Sequence, residues 1–152
     1  MKPSITRVVA AGLLATLVMT AVAVYVAPMM GIAPMNPATM LAGQMGGVVI
    51  LGWAAHLMIG VALAFIYVGA ARSRLPGPAA LRGALFSLAP WLVAQIVVMP
   101  MMGMGLFSGS MTLAGGSLIG HLVYGTVLGA VTGAPASDTA AETAHLRTVA
   151  SH

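Results

Sequence analysis

The sequence predicts an all-α fold: a bundle of four transmembrane helices built from two parallel-repeat helical hairpins. Composition, the spacing of apolar runs and an internal repeat support this prediction. Of the 152 residues, 60% are hydrophobic and 5% are charged. Soluble domains carry roughly 25% charged residues, so a chain of this composition cannot cover a water-exposed surface. It is expected to lie in a lipid bilayer.

Four apolar runs are long enough to cross a membrane as helices, because a span needs about 20 residues. The runs cover residues 6–27, 47–70, 80–101 and 112–133. Stretches rich in proline and glycine separate them and are typical of turns. Residues 1–133 are therefore predicted to form the transmembrane domain. The small and polar residues 134–152 are predicted to form a flexible cytoplasmic tail.

The basic residues indicate how the helices are oriented. They lie at the start of the chain, around the middle connection and in the tail: Lys2, Arg7, Arg72, Arg74, Arg82 and Arg147. Basic connections stay in the cytoplasm, so both termini and the middle connection are expected there. The first run is interpreted as a retained helix, since it is long for the core of a signal peptide and has a counterpart later in the chain.

An internal repeat divides the chain into two hairpins. VAPMMG at 26–31 matches VMPMMG at 98–103, and HLMIG at 56–60 matches HLVYG at 121–125. An even number of crossings separates the halves, so they enter the membrane in the same direction. A pseudo-twofold axis along the membrane normal is expected.

The first hairpin has a longer connection than the second. Pro28 and His56 are 28 residues apart, whereas Pro100 and His121 are 21 apart. Asn36 followed by proline is a typical helix start, with a capping side chain and a proline in the first turn. The extra length therefore predicts a short additional helix over about 37–45.

His56 and His121 form the candidate site, because equivalent residues that face inward would meet near a twofold axis. Small residues lie one helical turn before and after each histidine: Gly52, Gly60, Ser117 and Gly125. They would leave room for a flat cofactor. The favoured prediction is haem b, held by both imidazoles as iron ligands, in an electron-transfer or accessory membrane subunit.

A structural role is the alternative for the same histidines. Small residues at four-residue spacing also allow close helix packing, and an imidazole can donate a hydrogen bond to a neighbouring helix. The partners available are Thr16, Thr20, Gln95 and Thr126. The protein would then be a structural or assembly protein. Enzymatic activity is not expected, because both acidic residues lie in the tail and no catalytic triad is recognisable.

Methionines concentrate in the two uncharged connections and suggest a second ligand. Thioethers are soft ligands that select Cu(I). Copper binding outside the cytoplasm is therefore an alternative function, through Met29, Met30, Met101, Met102 and Met104. Methionine also fills irregular helix ends, which is the simpler interpretation. Nucleic acid is not an expected partner, since six scattered basic residues form no patch. The bilayer, a second copy of the chain or a larger membrane complex are the expected partners.

Five segments carry a resemblance to known sequences: MNPATMLAG, GWAAHLMIG, LPGPAALRGALF, APWLVAQIVVMPMMGMGLFSG and GSLIGHLVYGTVLGAV. Together they resemble an uncharacterised family of small bacterial four-span membrane proteins. The resemblance covers nearly the whole chain except the tail. It implies four spans and a bacterial inner membrane, and it implies no activity, cofactor or site residue.

Overall fold

Four long helices and one short helix make up the fold in the computed structural model, which describes residues 3–133. They are α1 Ile5–Met29, α2 Pro37–Gln44, α3 Val49–Ala71, α4 Ala79–Met101 and α5 Met111–Thr132. All except α2 are long and apolar enough to span a membrane. The predicted all-α membrane bundle is confirmed, and the chain is a multi-pass membrane protein. The predicted tail at 134–152 lies outside the described residues.

The short helix α2 begins where the sequence predicts it. The side-chain oxygen of Asn36 accepts hydrogen bonds from the backbone N–H groups of Ala38 and Thr39, at 3.0 and 3.4 Å. These bonds satisfy two donors that the first turn of a helix leaves open. Gly46 and Gly47 then adopt positive φ angles of 69° and 81°, which glycine tolerates without steric cost. The chain turns there into α3.

Proline distorts α1 and α4 at equivalent places. A turn of π-helix covers Val22–Val26 before Pro28, and another covers Ala94–Val98 before Pro100. Proline lacks an N–H group and its ring clashes with the carbonyl four residues earlier. A wider turn before the proline relieves this clash without ending the helix. The repeated sequence therefore produces a repeated backbone distortion.

The helices pack in the order α4, α5, α1, α3, with α2 lying against α3. Glycines bring the backbones together. A Cβ atom at Gly83 of α4 would overlap the carbonyl oxygen of Gly125 on α5, and one at Gly12 of α1 would lie 2.8 Å from the Cα of Val61 on α3. Such contacts stabilise membrane helices through dispersion, since lipid is as apolar as the side chains.

Helices α3 and α4, in contrast, do not pack closely on one another. They approach near one end, where the ring centroids of Tyr67 and Phe86 are 5.3 Å apart. The Tyr67 hydroxyl also donates a hydrogen bond to the carbonyl oxygen of Ala79, at 3.4 Å. In a strictly twofold arrangement, the contact between α1 and α5 would have an equivalent contact between α3 and α4. The structure departs from that symmetry and leaves a gap.

Arginines gather at the end of the bundle where α5 finishes. Nε of Arg7 donates to the carbonyl oxygen of Val131 at 2.6 Å, and Nε of Arg72 donates to that of Gly133 at 2.9 Å. Cations are favoured there, because the last carbonyls of a helix lack partners and carry partial negative charge. We call this the arginine end, and the opposite end, with connections 30–36 and 102–110, the methionine end.

Replacing Gly83 with alanine is expected to destabilise the bundle, because the new methyl group would overlap the Gly125 carbonyl. Overpacking of this kind costs about 1–3 kcal/mol. Thermal unfolding of the purified protein in detergent measures the effect. Gly115→Ala is the matched control, since a methyl group there meets nothing within 4 Å. An equal loss of stability in the two variants would contradict the packing described here.

Candidate functional site

The gap between α3 and α4 contains a cavity of about 430 Å³. Sites for small molecules and cofactors usually measure about 300–1,000 Å³ and are mostly apolar. Side chains from all five helices and from the connection 30–36 line this cavity. Most are aliphatic or methionine, and the polar ones are Thr16, His56, Ser117, His121 and Tyr124. The structure thus brings the two predicted histidines to the same cavity.

His56 is bound to the neighbouring helix α1. Its Nε2 lies 2.9 Å from Oγ1 of Thr20, and that hydroxyl lies 2.8 Å from the carbonyl oxygen of Thr16. A hydroxyl has one proton to donate, and a carbonyl can only accept. Thr20 therefore donates to Thr16 and accepts from Nε2–H of His56. In the neutral imidazole this assignment leaves the lone pair on Nδ1.

His121 has the opposite arrangement of its ring nitrogens. Nδ1 lies 2.8 Å from the carbonyl oxygen of Ser117, so Nδ1 carries the proton and donates it. Nε2 keeps its lone pair, and within residues 3–133 it has no hydrogen-bond partner. Histidines that bind metals usually donate their other N–H group to a carbonyl or a carboxylate in this way. His121 therefore offers an electron pair at the cavity.

The two histidines differ because the repeats differ in α1 and α4. Aligning VAPMMG with VMPMMG makes Leu92 the counterpart of Thr20. Leucine cannot accept a hydrogen bond, so the second hairpin lacks the hydroxyl that holds His56 in the first. One histidine links two helices, while the other bonds within its own helix. Sequence equivalence has not produced equivalent chemistry.

The small residues beside the histidines serve mainly in helix packing. A Cβ atom at Gly52 would overlap α2 at Ala38, and one at Gly125 would overlap Gly83 of α4. Neither glycine lines the cavity, whereas Gly60 and Ser117 do. The space for a ligand comes from the separation of α3 and α4. The roles predicted for these small residues in cofactor binding stay predictions.

Gln95 connects the cavity to the methionine end through a buried polar network. Its Nε2 donates to Oγ of Ser117 at 3.2 Å, and its Oε1 accepts from Oγ of Ser108 at 2.9 Å. Gln95 is fully buried, and Ser108 and Phe107 adopt left-handed φ angles of 59° and 51°. Such angles are uncommon outside glycine. The sequence does not predict Ser108 as a partner of Gln95, because only this loop conformation brings the two residues together.

Tyr124 was also not singled out from the sequence, although it belongs to HLVYG. Its hydroxyl donates to the carbonyl oxygen of Gly60 at 2.6 Å, which joins α5 to α3 across the bundle. The tyrosine is almost fully buried and lines the cavity. A tyrosine in a membrane span needs a hydrogen-bond partner for its hydroxyl, and that requirement was the available signal.

The methionines predicted to bind copper differ in their surroundings. Met29, Met30 and Met101 are exposed, Met104 is half-buried, and Met102 lines the cavity. Four further methionines also line the cavity: Met19, Met35, Met40 and Met99. In the part of the chain that the structure describes, no group of three or more His, Cys, Asp or Glu residues is placed to hold a metal ion.

Comparison with known proteins identifies a family without an assigned activity. The model of a family of unknown function, DUF6789, matches residues 3–143, and the chain belongs to that family. Searches of curated proteins and of solved structures found no match. The resemblance to an uncharacterised family, made from the sequence, is confirmed.

Replacing Thr20 with valine should remove the hydrogen bond to His56 and keep the side-chain shape. Bonds between membrane helices are worth about 0.6 kcal/mol on average and up to ~1.7 kcal/mol. The free energy of unfolding in detergent should fall by that amount. Thr126→Val is the control, because Thr126 is exposed on α5.

A double-mutant cycle tests this bond directly. Once His56→Leu has removed the imidazole, Thr20→Val should cost much less, because the two residues are in contact. Strictly additive losses would show that the bond does not contribute to stability.

Proposed function

Because the chain belongs to a family whose function is not known, we propose its function from the cavity: the protein binds haem b there, with His121 as an iron ligand. One observation carries this proposal. His121 lines an apolar cavity of about 430 Å³, and its Nε2 lone pair is free while Nδ1 donates to the Ser117 carbonyl. When bound, haem supplies one-electron redox chemistry, which suits a small electron-transfer or accessory subunit.

The walls of the cavity suit the apolar faces of a porphyrin. Apart from five polar residues, the lining is aliphatic, aromatic or methionine, with no charged side chain among residues 3–133. Without a cation inside, the carboxylates of haem would need to reach an end of the bundle. The cavity extends to the methionine end, where Ile32 and Met102 line it.

His56 enters the proposal as a second ligand. Coordination through its Nε2 would require the bond to Thr20 on α1 to break. Coordination through its Nδ1 would keep that bond, because Nε2–H would still donate to Thr20 and orient the ring. His121 is the ligand on which the proposal rests.

Copper is the second candidate ligand. The cavity, rather than the exposed methionines, is the site that suits it. Five thioethers line the cavity together with two imidazoles, and both ligand types bind Cu(I). Met102 would then act with Met19, Met35, Met40 or Met99. A purely structural role is supported by the bond from His56 to Thr20, and it would leave the cavity without a metal or a cofactor.

An optical spectrum separates these functions. Protein purified in mild detergent from haem-sufficient cells should show the reduced-minus-oxidised bands of a b-type haem, and His121→Ala should remove them. Leu122→Ala is the matched control, since Leu122 is the next residue along α5 and does not line the cavity. His121→Met should retain some haem with a changed potential, because a thioether can replace an imidazole as an axial ligand.

Two results would contradict the haem proposal. One is a featureless spectrum with no haem by chemical assay, in which case metal analysis of the same sample tests copper. The other is an unchanged spectrum in His121→Ala. If neither haem nor copper is present and the histidine variants only lose stability, the structural role is supported instead.

The proposed location is a bacterial inner membrane, with the arginine end in the cytoplasm. Arg72 and Arg74 lie in the middle connection, and Arg7 begins α1 at the same end, as the positive-inside rule requires for a cytoplasmic face. The methionine end would face the periplasm. A redox partner, a larger membrane complex or a second copy of the chain would then meet the haem from within the membrane.

Cysteine labelling tests this orientation cleanly, because the natural chain has no cysteine. Ala33→Cys at the methionine end should react with a membrane-impermeant maleimide in intact spheroplasts. Ser73→Cys at the arginine end should react only after the membrane is permeabilised. Both residues are exposed. The reverse pattern would show that the chain is inserted the other way.

A further inference from the structure

The separation of α3 and α4 leaves one side of the cavity without a packed wall. We propose that this gap is a lateral portal, and that the acyl chain of a bilayer phospholipid enters the cavity through it. The proposal rests on the shape and chemistry of the cavity. Haem and an acyl chain would compete for this space, so the acyl chain would enter protein that carries no haem. It assigns the gap an occupant that comes from the lipid phase.

Three aliphatic side chains mark the opening. Ile59 and Ile66 on α3 and Val93 on α4 all line the cavity. They are also 48%, 53% and 56% exposed, respectively. Residues of a sealed pocket in a close-packed core are largely buried. Because these three side chains border the cavity and are also half exposed, we assign them to the rim of its opening.

Two other sides of the cavity are closed by specific contacts. The bond from Tyr124 to the Gly60 carbonyl ties α5 to α3 at the back. Near the arginine end, the Tyr67 and Phe86 rings meet and join α3 to α4. The rim residues lie on α3 and α4, the two helices that remain apart. In a membrane, the region outside that gap is hydrocarbon.

An acyl chain fits the chemistry of this opening better than water does. Aliphatic surfaces offer no hydrogen bonds, and apolar cavities stay dry but accept apolar molecules. Transfer of a chain from lipid to the cavity has no hydrophobic driving force, because both environments are apolar. The gain comes from dispersion contacts that an empty cavity would lack. A chain that fills the cavity recovers these contacts for Phe86 and Leu63 on its walls.

Fluorescence quenching by brominated phospholipids tests the portal. The two native tryptophans, Trp53 and Trp91, are first replaced by phenylalanine, and one new tryptophan is introduced as Phe86→Trp on the cavity wall. Each variant is prepared free of haem and reconstituted into vesicles of phosphatidylcholine, with or without bromine on the middle of the acyl chains. Bromine quenches tryptophan on contact, so quenching reports whether acyl chains reach the cavity.

Two reference positions give the range of the measurement. Leu92→Trp lies on α4, is 42% exposed and does not line the cavity, so it should be strongly quenched by surrounding lipid. Leu128→Trp replaces a fully buried residue outside the cavity and should be weakly quenched. The portal predicts quenching of Phe86→Trp close to that of Leu92→Trp. Quenching as weak as that of Leu128→Trp would overturn it.

A second series of variants keeps the test possible if Phe86→Trp does not fold. Leu63→Trp, also on the cavity wall, replaces Phe86→Trp if thermal unfolding shows that the latter is not folded. Ile59→Phe and Val93→Phe place larger side chains at the opening and should narrow it. Quenching of the tryptophan on the cavity wall should then fall, and quenching of Leu92→Trp should stay unchanged. Equal quenching of the wall tryptophan with and without these two substitutions would show that lipid reaches the wall by another route, and would contradict the portal.

Discussion

Close backbone contact at a few glycines is the constraint on which this structure depends. Gly83 meets Gly125 between α4 and α5, and Gly12 meets Val61 between α1 and α3. Lipid supplies no hydrophobic force between helices, so these dispersion contacts must hold the pairs together. They draw each hairpin into a tight unit. The contact of α1 with α5 joins the two units, and α3 and α4 are left apart.

The cavity and its chemistry follow from that asymmetry. Both histidines line the cavity that lies in the gap between α3 and α4. Thr20 engages His56, and its counterpart Leu92 has no hydroxyl for His121. One hydroxyl therefore gives two similar sequence segments different bonds: His56 is held to α1 through Nε2, and His121 is bonded within its own helix through Nδ1. The proposed haem site rests on His121, and the proposed portal opens into the same gap.

The sequence predicts much of the fold, because span length and helix capping are local properties. Each predicted span boundary lies within two residues of the observed helix end. The sequence also predicts that His56 and His121 could meet, since the repeat relates them. It could not predict the gap, which is a departure from the symmetry of the repeat. Gly52 and Gly125 also could not be assigned from the sequence. A small residue can leave room either for a ligand or for another helix, and both of these glycines contact a helix.

Native mass spectrometry tests directly whether His121 binds a ligand in this cavity. The protein is released from its membrane in mild detergent, and the intact mass of wild type is compared with that of His121→Ala and Leu122→Ala. We expect an adduct with the mass of haem b on wild type and Leu122→Ala, and its loss from His121→Ala. The same adduct on all three proteins, or none on wild type, would contradict the haem proposal.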